Sequence, residues 1–245
     1  MATPWQAIFI HIPKTAGTTL VKLLERNYPP AHRQHFYTKQ AIEEELPKAR
    51  QKPQLKMLYG HLFLDEAIFS PDDLYVFTMI RHPVDRVISN YLHLKRSKNP
   101  RHQEWMKGIT EFPQFLEFKQ AFNNQCRRIA GAKDMEYFKA HPQEALEQAL
   151  LNLTRFGLVG ITEEFDKSLK LLALDLGWSH LRQAKANVAP EKIEHTSLAQ
   201  KYRPAIEACN QLDLKLYQAA RENLERRWQS LTWPERMKLG FKKWL

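Results

Sequence analysis

Apolar positions along the chain switch between two periods. Residues 5–12 form a short β-branched run that stops at Pro13, and Leu20, Leu23 and Leu24 then recur at helical spacing. That predicts a buried strand at 5–12 and a helix at 18–27, which Tyr28-Pro29-Pro30 ends because proline cannot continue it. Residues 31–54 are polar, with a helical stretch around 39–45 that ends near Pro47. Strands are predicted at 55–59 and, from an unbroken apolar run, at 74–80. Arg81-His82-Pro83 opens a helix, with proline near the first position, where its missing N–H costs nothing. Val84, Val87, Ile88, Tyr91 and Leu92 give that helix a core face. Residues 96–105 turn polar and basic and read as an exposed loop. Helices follow at 112–118, 123–130 and 142–153, a strand at 158–162, a helix at 164–176 and a loop at 181–192. A long helical region at 197–229 carries a break at Pro204.

Strands alternating with helices predict an α/β fold: a single P-loop-like domain with a mainly parallel central sheet flanked by helices. No repeat or low-complexity linker divides residues 1–245, so the reading is one domain, with the helical segment 197–245 packed on it. Ligands in such folds sit beyond the carboxyl ends of the strands. Lys14, His61 and Arg81 each follow a predicted strand, so all three are expected in one crevice.

Composition narrows this only slightly. A chain of 245 residues with 43% hydrophobic and 26% charged residues sits among ordinary soluble globular proteins. Cys126 and Cys209 are the two cysteines, which does not indicate a disulfide framework and fits a reducing compartment. No apolar run approaches the ~20 residues of a membrane span, and Met1-Ala2-Thr3-Pro4 lacks the basic start of a secretion signal. The expected location is cytoplasmic. A net charge of +10 favours an anionic substrate, lipid surface or nucleic acid, or serves solubility and a doubly charged cofactor. Zinc-finger spacing, aromatic RNP-like strands and basic regions joined to heptads are missing, so nucleic acid is not an expected partner.

The chemistry starts in residues 7–20, where strand, tight loop and helix start follow one another. A helix start carries unpaired N–H groups and the positive end of the macrodipole, so it attracts anions. Lys14 adds a charge, Gly17 allows close backbone approach, and Thr15, Thr18 and Thr19 add hydroxyl donors. The stretch reads as a phosphate cradle, the alternative being an ordinary turn with a solvated lysine. It is not a Walker A loop, whose lysine follows the second glycine, whereas Lys14 precedes the only glycine here.

Lys14-Thr15-Ala16-Gly17-Thr18-Thr19, with Arg81-x-Pro83-x-x-Arg86-x-x-Ser89-x-Tyr91 downstream, resembles the paired cofactor loops of the sulfotransferases. The resemblance implies that Lys14, Thr15, Ala16, Gly17, Thr18 and Thr19 hold the 5′-phosphosulfate of 3′-phosphoadenosine 5′-phosphosulfate (PAPS). It also implies that Arg81 and Ser89 hold the 3′-phosphate. Within that family the chain looks most like the carbohydrate branch of the heparan sulfate 2-O-sulfotransferase type. The likeness extends to residues 59–65 and 156–164, and covers most of residues 5–176. Golgi-type members carry a membrane anchor, and the chain departs from them there. A late loop closes over the nucleotide in the family, and residues 181–192, with Lys185, Asn187 and Lys192, match it weakly.

Sulfuryl transfer is an in-line displacement in which charge grows on the leaving oxygen, so positioning and electrostatics dominate. Lys14 and the N–H groups after it would stabilise that charge. The acceptor hydroxyl needs a base titrating near neutrality, for which histidine is the usual solution. Among ten histidines, His61 follows a strand and a glycine in a segment, Tyr59-Gly60-His61-x-x-Leu64-Asp65, that resembles the family's catalytic histidine stretch. His11 reads as a packed strand residue and is the next candidate. Gln125-Cys126-Arg127-Arg128 resembles a cleft-lining stretch, although arginines are more often on the surface.

The expectation is a PAPS-dependent sulfotransferase with His61 as general base and a hydroxyl-bearing acceptor (carbohydrate, lipid, glycolipid or small metabolite), with no metal. The rivals are a P-loop nucleotide kinase, which would need a Walker A pair and a metal-binding aspartate, and a non-catalytic anion-binding module. At the C-terminus, Trp233, Met237, Phe241, Trp244 and Leu245 can share a helical face ringed by basic residues. That face fits either the protein's own core or a membrane interface.

Overall fold

Five short strands make one parallel sheet in the order β2-β3-β1-β4-β5. They are β1 (Ala7–Ile10), β2 (Arg33–Phe36), β3 (Met57–Gly60), β4 (Tyr75–Ile80) and β5 (Leu158–Ile161). The computed structural model describes residues 6–181 and 192–241, without the side chains of Arg50, Lys192 and Phe241. The central strand β1 pairs with β3 and β4, Ala7 lying opposite Met57 on one side and Tyr75 on the other. Its four residues are all buried, as expected of a parallel strand covered on both faces. The predicted parallel α/β sheet is present, with one more strand than the sequence suggested.

That extra strand, β2, lies within the polar stretch. As an edge strand it has one ladder partner, β3, and only Phe36 of its four residues is buried. It needs no apolar pattern and shows none. The helical stretch expected at 39–45 is a single wide turn, Ala41–Glu45, followed by a tight one, Pro47–Gln51.

Helices α1 (Gly17–Asn27), α2 (Pro83–Arg96), α3 (Pro100–Met106), α4 (Phe112–Phe115), α5 (Asn124–Ile129), α6 (Met135–Ala140), α7 (Pro142–Arg155) and α8 (Phe165–Leu176) lie along the first three quarters of the chain. Helices α9 (Lys192–Cys209), α10 (Gln211–Gln229) and α11 (Trp233–Phe241) complete it. Two expectations change here. The exposed loop expected at 96–105 contains α3, whose start is marked by Asn99 accepting the Arg101 N–H at 2.9 Å and by Pro100 in the first turn. The break in the long C-terminal region falls at Asn210, while Pro204 sits inside α9 without ending it. The Asn210 side chain donates to the Ile206 carbonyl and accepts the Asn123 N–H, which turns the chain between α9 and α10.

The main core surrounds the sheet, and a second one joins Val84, Val87 and Ile88 of α2 to Phe112, Phe115 and Ile206. Helix α11 buries Leu239 and contacts α8, while Trp233 and Met237 of the expected apolar face are both exposed; its other members, Phe241, Trp244 and Leu245, lie outside the described side chains. Residues 242–245, and the loop residues 182–191, lie outside the described residues. No helix among the described residues is long and apolar enough to cross a membrane.

Candidate active site

The chain leaves β1 toward the β2 side of the sheet and leaves β4 toward β5, so the β1/β4 boundary is the point where the connections diverge. Ligands bind beyond the strand ends at such a point. A cleft of about 2170 Å³ opens there, lined by Lys14, Gly17, Thr18, Thr19, His61, Arg81 and Ser89 among others. The three strand-end residues expected together are together. Five lysines and six arginines line the cleft against three carboxylates, so it is built for an anion.

Lys14 and Ala16 both have left-handed backbone, with φ of 72° and 63°. Left-handed non-glycine residues cost about 1–3 kcal/mol each and collect at functional loops. Such alternation folds a backbone into a concavity whose N–H groups can gather round an anion. Helix α1 begins directly after Ala16, and no side chain caps its first turn. Thr15 behaves differently from Thr18 and Thr19. It is fully buried and its hydroxyl donates to the Ile12 carbonyl at 2.8 Å, so it braces the loop and can offer a ligand only its backbone.

Gly17 also differs from the sequence reading. A Cβ there would lie 1.9 Å from His11 Nε2, so the glycine makes room for a histidine ring, whatever it also does for a ligand. His11 is stacked on Phe9, shares a hydrogen bond with Tyr37 Oη at 2.9 Å, and lies 4.8 Å, centroid to centroid, from His61. Tyr37, just past β2, also meets the His61 ring edge-on at 4.7 Å. Burial, with the charges of Arg128 and Lys14, lowers His11 to about 4. Burial also lowers His61, to about 2, helped by His11, Arg128, Arg101 and His102. His61 is therefore neutral at pH 7, but it does not titrate near neutrality as expected.

Across the cleft, burial and the charges of Arg81 and Arg96 lower Lys14 from the usual lysine range. Arg81 Nη1 lies 3.5 Å from the Lys14 carbonyl, which ties the two loops together. Among the described residues neither Lys14 nor Arg81 has a carboxylate partner. Ser89 faces the cleft from α2, and beside it Asn90 is 2% exposed with no hydrogen-bond partner for Nδ2 among the described residues. The third residue of the second motif, Arg86, turns away. It is fully buried, with its Nε 4.0 Å from Asp213 of α10.

Helix α5 supplies what sequence reasoning undervalued. Arg127 and Arg128 are both buried, not surface residues. Arg128 donates to the Leu62 carbonyl at 2.8 Å, next to His61, and lies over the Phe63 ring at 4.7 Å. Burial and the other arginines lower it to about 9. The signal available in the sequence was the density of polar residues in Asn123-Asn124-Gln125, too many for a short helix unless its neighbours bind them. Among the described residues no group of His, Cys, Asp and Glu side chains is arranged to hold a metal ion.

None of the curated proteins compared with the chain matches it in sequence. Mouse sulfotransferase SULT7A1, crystallised in complex with PAP, is similar over 72% of this chain and 60% of that one, at 17% identity and a TM-score of 0.43. The chain thus spans less than two thirds of that protein. The motifs of the two loops fall inside a stretch, residues 2–230, that matches the family model described as the sulfotransferase family. With nearly its whole length matched, the chain belongs to the sulfotransferase family.

Proposed function

We propose that the protein moves a sulfuryl group from PAPS to an acceptor hydroxyl, with Lys14 and the start of α1 holding the phosphosulfate end and Arg81 and Ser89 the 3′-phosphate. The observation that carries this reading is one cleft into which Lys14, Arg81 and His61 project from three strand ends, with the two cations lacking carboxylate partners among the described residues. The residues fit such a ligand: an uncapped helix start, a left-handed loop and an excess of cations all favour phosphate. PAPS supplies the activated sulfuryl group and leaves as adenosine 3′,5′-bisphosphate. Lys14 then meets negative charge both before and during transfer, so it serves affinity and rate together.

His61 accepts the hydroxyl proton. A base held at about 2 is weak, but a bound polyanion offsets Arg128 and Arg101 and raises it, since nearby negative charge favours the imidazolium. The ring stays neutral at pH 7 before the reaction, as a base must. The acceptor class we favour is carbohydrate of the heparan sulfate 2-O type, in keeping with the basic cleft. Incubation with radiolabelled PAPS and a panel of glycans, lipids and small alcohols tests the whole reading, with labelled ATP as the control. Transfer of label from PAPS alone is expected. Transfer from ATP, or none from PAPS to any acceptor, would refute it.

A further inference from the structure

Beyond the residues that face the cleft, helix α5 fastens Arg81 from behind. Gln125 is fully buried, and its amide pairs with the Arg81 backbone in both directions. Its Oε1 accepts the Arg81 N–H at 2.8 Å, and its Nε2 donates to the Arg81 carbonyl at 2.9 Å. This imitates a strand partner for the one residue past the end of β4, where the sheet ladder has stopped.

Gln125 is itself fixed by a reciprocal arrangement. The Asp213 carboxylate of α10 accepts the N–H groups of Gln125, at 3.3 Å, and Cys126, at 2.7 Å, so it caps the start of α5. In return Asn123, just before α5, accepts the N–H groups of Leu212 and Asp213, both at 3.0 Å, at the start of α10. Each helix caps the other, and Asn123, Gln125, Cys126 and Asp213 are all buried. Asp213 also faces Arg86 of α2.

We infer that Gln125 is a positioning residue that sets the preference for a 3′-phosphorylated nucleotide, by holding Arg81 where it meets that phosphate. This rests on the proposed role of Arg81. Gln125 lies behind the strand end and makes no contact with the ligand. Removing its amide leaves a part-buried N–H and carbonyl at Arg81 without these partners, and the backbone moves to find others. The 3′-phosphate contact depends on that backbone, whereas the 5′-phosphate contact depends on Lys14 and α1.

The test is isothermal calorimetry with adenosine 3′,5′-bisphosphate and adenosine 5′-monophosphate on wild type, Gln125→Met and Gln125→Glu. Thermal unfolding of each variant is measured alongside. Methionine keeps the length and loses both hydrogen bonds, while glutamate keeps the acceptor and loses the donor. Gln125→Met is expected to weaken the bisphosphate about tenfold and the monophosphate by less than about twofold, with Gln125→Glu between. A merely structural role would weaken both nucleotides in parallel, and that result would overturn the inference. So would a wild-type preference that survives Gln125→Met unchanged, or failure of both variants to fold. Equal binding of the two nucleotides to wild type would instead overturn the assignment of Arg81, and this inference with it.

Discussion

The loops after β1 and β4 line the cleft with cations, and on its β2 and β3 side, from His11 at the end of β1 to Tyr37 and His61, it is lined by rings. Arg81 Nη1 lies 3.5 Å from the Lys14 carbonyl, and both side chains line the same cleft. His11, Tyr37 and His61 pack against one another, and burial keeps both imidazoles uncharged. The difference separates two tasks that conflict at one place. Holding a polyanion needs fixed positive charge, whereas accepting a proton needs a neutral ring. Arg128, fastened to Leu62 beside His61, carries the electrostatic influence of the first region into the second.

The largest effect expected from breaking that division is on turnover. His61→Ala should cut the rate about 10²–10⁴-fold while leaving the affinity for adenosine 3′,5′-bisphosphate near the wild-type value. Calorimetry and a transfer assay on the same preparation check it, and near-normal turnover would move the base to His11. Arg81→Ala should act on the opposite side. It should lower the preference for the bisphosphate over the monophosphate by about 10–100-fold, as a charge-assisted phosphate contact requires, without touching monophosphate binding.

Gly17→Ala tests the seam between the regions. The new methyl would meet His11 Nε2 at 1.9 Å, so the ring or the α1 start must move. Stability should fall by about 1–3 kcal/mol, measured by urea unfolding, and both nucleotide affinity and turnover should drop. Retention of all three would show that the ring and the helix start are not coupled.

The last effect is on pH dependence. His11 and His93 are held at about 4 in the folded protein, both chiefly by burial. An unfolded histidine titrates near 6.5. Below that value the unfolded chain takes up protons that the folded one refuses, so stability should decline as pH falls from about 6.5 toward 4. Adenosine 3′,5′-bisphosphate should reduce the decline by placing negative charge beside the rings. Urea midpoints from pH 7 to 4.5, with and without the nucleotide, measure it, and a flat profile without ligand would refute it.

The cationic half of the site was legible in the sequence because central parallel strands must be apolar throughout and their ends carry short, unusual loops. The same holds for β5 and for the helices with strong periods, α2 and α7. The ring half was only partly legible. His61 stood out by its neighbours, but Tyr37 follows an edge strand whose residues need no pattern, so the partner of both histidines stayed hidden. Arg128 read as a surface residue because the carbonyl that binds it, at Leu62, is remote in sequence, while Arg127 is held by carbonyls of the flanking loops, at Lys119 and Lys133, that carry no sequence pattern. Asn210 rather than Pro204 ends α9 for the same reason, since its partner Asn123 lies far upstream.

The position of β1 carries a consequence for how the chain is made. It is the middle strand of the sheet, and both of its partners are synthesised after it, through Met57 on one edge and Tyr75 on the other. A ribosome-bound chain therefore displays Ala7-Ile8-Phe9-Ile10, which has no charged residue, with two open edges until β3 has emerged and one until β4 has. Unpaired apolar strands of this kind invite pairing with other chains. The segment that later presents Lys14 to its ligand is thus exposed to misassembly during synthesis, and slow translation through residues 57–80 would lengthen that exposure.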